Sequence, residues 1–400
     1  MISRKMIDGG RSGSSIREIA AFGAARAEAV GAENVFDFTI GSPSVPPPAA
    51  ATEGMIRLLR EMEPSQLHGY APAAGIPAVR EALAQDLNGR FGGHYRADDL
   101  YLTCGASSAL AILAKALLSP GDEVVVLAPY FMDYRVYAED QGARLIEVPC
   151  LTDSFQPDLA ALASALTEKT ALVIVNSPNN PSGAVLGAES LRAIAALLET
   201  RRRESGHAIY LIADEPYREL VYGDAAAPFT PLFYDDTIYC YSFSKSLSLA
   251  GERIGFLALS PELTDYDDAR AAIFGAARAL GYICVPPLFQ YLAAACVGQT
   301  ADLSVYQSNR ALLTAALGEL GFSFAAPQGA FYLFLRSPEA DDRAFCRRAM
   351  AHDVLLVPGS DFGCAGYARL AYCVPPERIR RSLPLFRRLA AEYGLTDNAD

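Results

Sequence analysis

The chain has no apolar run long enough to span a bilayer. Its first residues, Met1-Ile2-Ser3-Arg4-Lys5, lead into polar, Gly/Ser-rich sequence and not into the apolar stretch of a signal peptide. A cytoplasmic protein is the expectation. Histidine is scarce, with only His68, His94, His207 and His352, all far apart. The eight cysteines are scattered without a Cys-x-x-Cys pair and have mostly apolar neighbours, as reduced, buried thiols do. A protein-ligated metal site is therefore not expected. Positive charge is also short: the formal net charge is −12, and no basic stretch or helix-turn-helix pattern precedes the main body of the chain. Nucleic acid and anionic membrane need a basic surface, so neither is expected as a partner. A small-molecule function fits better, and a regulator fused to a DNA-binding module is disfavoured.

What is present is bulk. Four hundred residues, about half of them apolar, can bury a large core and divide into more than one domain. A polar lead is followed by an Ala-rich helical pattern over 16–30, and 37–43 alternates like a short strand before Ser44-Val45-Pro46-Pro47-Pro48 makes an ordered strap. Apolar strand patterns recur near 101–104, 123–128, 171–175, 208–213 and 237–241, with helical patterns between them. That alternation predicts an α/β fold with a mostly parallel sheet covered by helices on both faces. Beyond Pro286-Pro287 a long Ala-rich helical stretch, then alternating strands and helices, reads as a smaller α+β domain. The expected division is 1–48 as a strap belonging to the small domain, 49–287 as the large domain and 288–400 as the C-terminal small domain.

Chemistry-bearing residues collect where these strands end, outside the carboxyl edge, where ligands gather in doubly wound sheets. Tyr241-Ser242-Phe243-Ser244-Lys245 runs on to Gly251-Glu252-Arg253-Ile254-Gly255. A lysine amine condenses with carbonyls, and an arginine between two glycines can hold a phosphate, so the stretch can bind pyridoxal phosphate. The alternative is a surface lysine in a Ser-rich loop. Gly105-Ala106-Ser107 opens a helix and is either a second half of the phosphate site or a plain N-cap. Phe131 can stack on a planar ring or simply pack. The Asn176-Ser177-Pro178-Asn179-Asn180-Pro181 loop is dense in amides, and Asp214 ends an apolar strand, where it needs a cation or proton donor. Gly41 either lets backbone lie over a ligand or serves a turn. Tyr70 lies in a Gly/Pro-rich loop, and Arg369, alone in an apolar strand, needs an anion.

Together these segments resemble the fold type I pyridoxal phosphate enzymes, specifically the class I/II aminotransferases, from about Phe36 to Tyr372 and in the family's order. Ser-x-Ser-Lys with Gly-x-Arg-x-Gly, Asn-x-Pro-Asn-Asn-Pro-x-Gly and Asp-Glu-x-Tyr carry the resemblance. It implies pyridoxal 5'-phosphate as cofactor, with Lys245 as the Schiff-base lysine. Ser242, Ser244, Arg253 and the Gly105-Ala106-Ser107 turn would cradle the phosphate. Phe131 would stack on the ring, Asp214 would pair with the ring nitrogen, and Asn180 and Tyr217 would bond its phenolic oxygen, with Asn176 supporting beside the ring. Arg369 would clamp the substrate α-carboxylate, with Gly41 and Asn180 nearby. Tyr70 would reach the partner's phosphate in a homodimer. The implied activity moves an amino group between an L-amino acid and a 2-oxo acid in a ping-pong cycle; a lyase or decarboxylase on the same fold is the alternative. Arg278 and Lys115 do not map onto a family motif. Arg278 either meets a substrate side chain or makes a structural ion pair, the ion pair being the expectation, and Lys115 is a weaker candidate for the substrate contact.

Overall fold

The computed structural model describes residues 2–11 and 15–395. Met1, 12–14 and 396–400, which include part of the Gly/Ser-rich lead, lie outside the described residues. Among the described residues, twelve strands run in chain order: β1 Phe36–Asp37, β2 Leu100–Thr103, β3 Glu123–Ala128, β4 Arg144–Pro149, β5 Thr170–Asn176, β6 Tyr210–Asp214, β7 Thr237–Ser242, β8 Gly255–Leu259, β9 Tyr332–Arg336, β10 Val354–Leu355, β11 Val357–Pro358 and β12 Tyr367–Ala371.

Seven of them form one sheet in the order β2-β8-β7-β6-β5-β3-β4. All neighbours are parallel except those of β8, which runs against both β2 and β7. The alternation of side chains sorts the sheet into two faces. Val124, Val126, Ile174, Ile212 and Ile238 pack with residues of the helices Ala106–Leu117, Asp133–Asp140 and Tyr266–Leu280. On the other face, Val125, Val173, Val175 and Leu211 meet the helices Leu159–Ala165 and Ala188–Ser205, while Tyr239, Tyr241 and Phe256 meet Ala49–Glu61, Pro77–Phe91 and Pro287–Ala295. Both faces being covered, the inner strands are largely apolar between polar ends such as Asn176 and Asp214, as expected of a parallel sheet.

The C-terminal part builds its own cluster around the antiparallel sheet β11-β12-β9, joined by Phe36 and Phe38 from the N-terminal strap. The strap departs from the pattern read in the sequence. Only Phe36–Asp37 is a strand, paired in parallel with β10. Beyond it Phe38 N continues that pairing to Leu355 O of β10 at 3.1 Å, and Phe38 O ties the chain to the small sheet by accepting from Ala371 N of β12 at 2.8 Å. The ladder stops because the next carbonyl, that of Thr39, is taken by a side chain, Arg369. Three further differences concern elements. Part of the polar lead is a helix, Arg4–Arg11. The long helical stretch after Pro286 is two helices, Pro287–Ala295 and Ser304–Glu319, broken after Cys296. The first of these buries Leu292 and Ala293 with the large sheet. Strands β4 and β8 complete the sheet although neither stood out as a strand. No described helix is long and apolar enough to cross a membrane.

Candidate active site

The carboxyl ends of β3, β5, β6 and β7 open toward the small sheet, and a cleft of about 310 Å³ lies between them. It is lined by Gly41, Ala106, Ser107, Phe131, Asn176, Asn180, Asp214, Tyr217, Ser242, Ser244, Lys245, Arg253 and Arg369, all singled out in the sequence. Register explains part of the convergence, since Asn176 pairs with Asp214, the last residues of β5 and β6, and Asp214 pairs with Cys240, two residues before β7 ends at Ser242.

Lys245 sits on the four-residue helix Phe243–Ser246, whose N-cap Ser242 accepts from Ser244 N at 3.3 Å. The Lys245 Nζ donates to the Gly41 carbonyl at 2.6 Å. Burial pushes its pKa down to about 8; the Cys373 thiol opposes this, and the Arg369 and Arg253 cations add to it. A sizeable neutral fraction near neutral pH is what an amine nucleophile needs. Gly41 has to be glycine for a steric reason: a Cβ there would lie 2.0 Å from the Tyr332 hydroxyl. That hydroxyl is hydrogen-bonded to the Tyr217 hydroxyl at 2.8 Å, and burial holds both phenols above their usual range.

Asp214 is wholly buried. Its Oδ2 accepts from the Tyr134 hydroxyl at 2.5 Å, and Asn176 Nδ2 donates to its main-chain oxygen at 2.7 Å. Its Oδ1 is buried with no hydrogen-bond partner. Burial raises its pKa to about 7, with the Tyr134 hydrogen bond opposing and Glu215 adding to the rise. A carboxylate kept this way is short of one donor.

At the other end, Ser242 Oγ donates to Ser244 Oγ at 2.8 Å, and Arg253 Nη1 reaches Ser244 Oγ at 3.5 Å and the Ala250 carbonyl at 3.0 Å. Arg253 Nη2 donates to the Cys104 carbonyl at 3.2 Å. Gly105, at φ 84°, stands just behind the cleft lining, and a Cβ on it would come within 2.8 Å of Arg253 Nη2. The helix it precedes, Ala106–Leu117, points its free amides at the same place, so hydroxyls, a guanidinium and a helix N-terminus converge on one anion-sized position.

Arg369 is buried in the middle of β12. Its Nη1 donates to Asn180 Oδ1 at 3.0 Å and its Nη2 to the Thr39 carbonyl, while the guanidinium lies 4.9 Å from the Tyr332 ring centroid and 4.8 Å from that of Phe362. Its Nε has no partner, and burial lowers its pKa. Asn180 is held in turn by its amide N–H to Asn176 Oδ1 at 2.7 Å.

Three residues marked in the sequence stand apart. Tyr70 is 100 % exposed and outside this cleft. Lys115 is exposed on the helix Ala106–Leu117. Arg278 is exposed in the last turn of Tyr266–Leu280, and the structural ion pair expected of it is absent among the described residues, because its end of the helix projects into solvent. Sequence reasoning also missed lining residues, chiefly Thr39, Ile40, Leu110 and Tyr332, and Tyr134 behind Asp214. Tyr332 lies in an apolar strand where an aromatic is ordinary, so its one available signal was the glycine before Ala330-Phe331.

A doubly wound sheet with a buried amine, a buried acid and an anion cradle at its carboxyl edge defines an enzyme that works on a small amine or carbonyl compound. The chain matches the family Aminotransferase class I and II over residues 33–383, and it belongs to that family of enzymes. It is 32 % identical over 361 residues to an aspartate aminotransferase of Thermotoga maritima, covering 88 % of this chain and 90 % of that one. It is equally 32 % identical over 360 residues to an aspartate/prephenate aminotransferase of Thermus thermophilus, covering 88 % and 90 %. Among solved structures, an amino transferase from Eubacterium rectale superimposes with a TM-score of 0.96 at 44 % identity, covering 98 % of this chain and 99 % of that one. The Thermus thermophilus aspartate aminotransferase with maleate gives 0.85 at 28 %, covering 97 % and 99 %.

Proposed function

We propose that the protein is a pyridoxal 5'-phosphate-dependent aminotransferase that moves an amino group between an L-amino acid and a 2-oxo acid by a ping-pong mechanism. The observation that carries this is the unpartnered, buried Oδ1 of Asp214 in the cleft that also holds the Lys245 amine. An acid left one donor short fits a protonated pyridine nitrogen, and the converging donors of Ser242, Ser244, Arg253 and the Gly105–Ser107 turn fit a phosphate. When bound, the cofactor supplies an aldehyde for the lysine and a cationic ring that withdraws electrons from the substrate Cα.

The chain's own residues divide the remaining work. Phe131 and Asn176 would hold the ring, and Asn180 and Tyr217 would bond its phenolic oxygen, all four lining the cleft. Arg369, oriented by Asn180 and Thr39, holds the α-carboxylate in two-point contact and so sets the direction of the Cα–H bond. The Lys245 amine would take the proton at Cα, a task its lowered basicity suits. Gly41 closes the substrate side, its carbonyl already within 2.6 Å of that amine.

The active form is a homodimer in this reading. Tyr70, fully exposed here, would reach the partner's phosphate position. The small unit is the strap 1–48 together with the C-terminal segment, and the large unit begins at 49. Because Pro287–Ala295 packs on the large sheet, the second boundary is better placed after that helix than at 287/288. A cytoplasmic location agrees with eight unpaired cysteines.

The test incubates the protein with pyridoxal 5'-phosphate and single amino acids, following the bound cofactor's absorbance together with released 2-oxo acid and CO₂. Stoichiometric 2-oxo acid with conversion to the amine form of the cofactor is expected. Release of CO₂ or of a side-chain fragment without the amine form would place the protein among the lyases or decarboxylases.

A further inference from the structure

Behind the cleft, the helix Asp133–Asp140 carries Tyr134 and Tyr137 three residues apart, a spacing that puts both on one face. They reach opposite ends of the site. The buried Tyr134 donates to Asp214 Oδ2 at 2.5 Å, while the Tyr137 hydroxyl meets the Ser107 side chain in the anion cradle. Just ahead of the helix, Phe131 lies edge-on to Tyr134 with ring centroids 5.6 Å apart.

Resting on the pyridoxal phosphate reading above, we propose that Tyr134 is a positioning residue: its hydroxyl fixes which oxygen of Asp214 faces the ring nitrogen and keeps that acid ionised against it. A carboxylate turns easily about its last torsion, and in a dry site the oxygen that has a donor is the one that stays put. Tyr134 occupies Oδ2, and Oδ1 is left without a partner in the cleft. The Asn176 amide is bonded at 2.7 Å to the main-chain oxygen of Asp214 and reaches Oδ2 only at 3.5 Å, a much weaker hold than the phenol's. The donated hydrogen bond also draws negative charge from the carboxylate and makes it a weaker base, so a proton shared with a pyridine nitrogen rests on the ring. The other groups facing Asp214 work against this or are neutral: Glu215 favours the protonated acid, and the Cys240 thiol and Tyr217 phenol carry no charge at neutral pH. Without the phenol, the proton moves from ring to acid and the electron sink weakens.

The test compares cofactor-free wild type, Tyr134→Phe, Tyr137→Phe and Asp214→Asn for their dissociation constants with pyridoxal 5'-phosphate and with the analogue bearing C–H in place of the ring nitrogen. Wild type should prefer the nitrogen compound. Tyr134→Phe should shrink that preference by about tenfold, the size of one hydrogen bond to a charged group, while the analogue binds within about twofold of wild type. Tyr137→Phe should weaken both compounds alike. Incorporating 3,5-difluorotyrosine at 134, a stronger donor of similar volume, should widen the preference. With amino acid substrate, Tyr134→Phe should lower kcat and leave KM nearly unchanged. An unaltered preference in both Tyr134 variants, or an equal loss for both compounds in Tyr134→Phe, would overturn the proposal. A preference that survives in Asp214→Asn would instead overturn the reading of Asp214 itself.

Discussion

Replacing Arg369 by lysine separates charge from geometry at the proposed carboxylate clamp. The guanidinium is fixed before any substrate arrives: Asn180 and Thr39 hold its two terminal nitrogens, and the rings of Tyr332 and Phe362 cover its faces at 4.9 and 4.8 Å. A lysine keeps the positive charge but loses the planar fork and its fixed orientation. A desolvated, two-point charged contact is worth about 2 to 5 kcal/mol, and a lysine retaining one of the two hydrogen bonds should forfeit about 2 to 3 kcal/mol of it. At about 1.4 kcal/mol per tenfold, kcat/KM for an amino acid should fall roughly 30- to 150-fold. The matching amine, which has no carboxylate, should lose no more than about threefold, a change attributable to repacking under 1 kcal/mol. The assay is the specificity constant of Arg369→Lys for both compounds, measured under single-turnover conditions so that only one half of the cycle is read. Equal losses would mean that Arg369 supports the small sheet and does not touch the substrate carboxylate.

Lys245→Ala should abolish turnover and the absorbance of the covalently bound cofactor while the folded protein still binds pyridoxal 5'-phosphate; in the wild type, the rate of covalent attachment should rise with pH and level off above about 8, following the neutral amine. Persistent turnover in the variant would clear Lys245 of its role. In the cofactor-free protein, Asp214 has a folded pKa of about 7, above its unfolded value, so its contribution to stability is complete below about pH 4 and is lost as pH rises through 7. Urea midpoints between pH 4 and 8 should therefore fall more steeply for wild type than for Asp214→Asn, and identical slopes would contradict the burial argument. Gly41→Ala should cut kcat/KM at least about tenfold, because the new Cβ would lie 2.0 Å from the Tyr332 hydroxyl and must displace it. Tyr332→Phe in the same chain should recover part of the loss, and failure of the double variant to improve on the single one would place the damage elsewhere.

The parts of the fold legible in the sequence were those buried on both sides. Strands β3, β5, β6 and β7 are continuous apolar runs because helices cover both faces of the sheet, and such runs end abruptly at the residues that turn into the cleft. β4 escaped notice because it is the edge strand, with exposed Arg144, Glu147 and Pro149 interrupting half-buried Leu145 and Ile146 and buried Val148, so it has no long apolar run. β8 escaped because its direction is reversed, so it follows the Arg253 segment with no intervening helix to announce it. The same distinction separates the site residues. Lys245, Asp214, Asn180 and Arg369 stand out locally, as polar groups where an apolar strand or a loop rich in Gly and Pro would not otherwise need them. Tyr134 and Tyr332 do not, since a buried aromatic on a helix or strand has the same pattern whether its hydroxyl serves the core or the site. Only the distance of 2.5 Å to Asp214 and that of 2.8 Å to Tyr217 tell them apart.

Two acids adjacent in the chain make the point in energetic terms. Asp214 and Glu215 are both buried at the end of β6, and burial raises the pKa of each. Glu215 turns away from the cleft to Arg218, at 2.9 Å, and accepts from the Thr230 hydroxyl at 2.5 Å; the Arg218 guanidinium lies over Phe91 and Phe229. Its charge is thus answered within the chain, and removing either partner would strand the other at a cost of about 3 to 5 kcal/mol. Asp214 is answered by neutral groups only, and among the described residues neither it nor Lys245 nor Arg369 closes an ion pair. Each rests on a phenol, a carboxamide or a main-chain carbonyl and keeps one direction open to the same cleft. A fold selected for stability alone would gain by pairing or deleting these three groups. Their shared lack of a counter-charge, beside a neighbouring acid whose charge is met by Arg218 at 2.9 Å, is what the proposed function requires of a cleft whose ligand would bring a cation to Asp214, a carbonyl to Lys245 and an anion to Arg369.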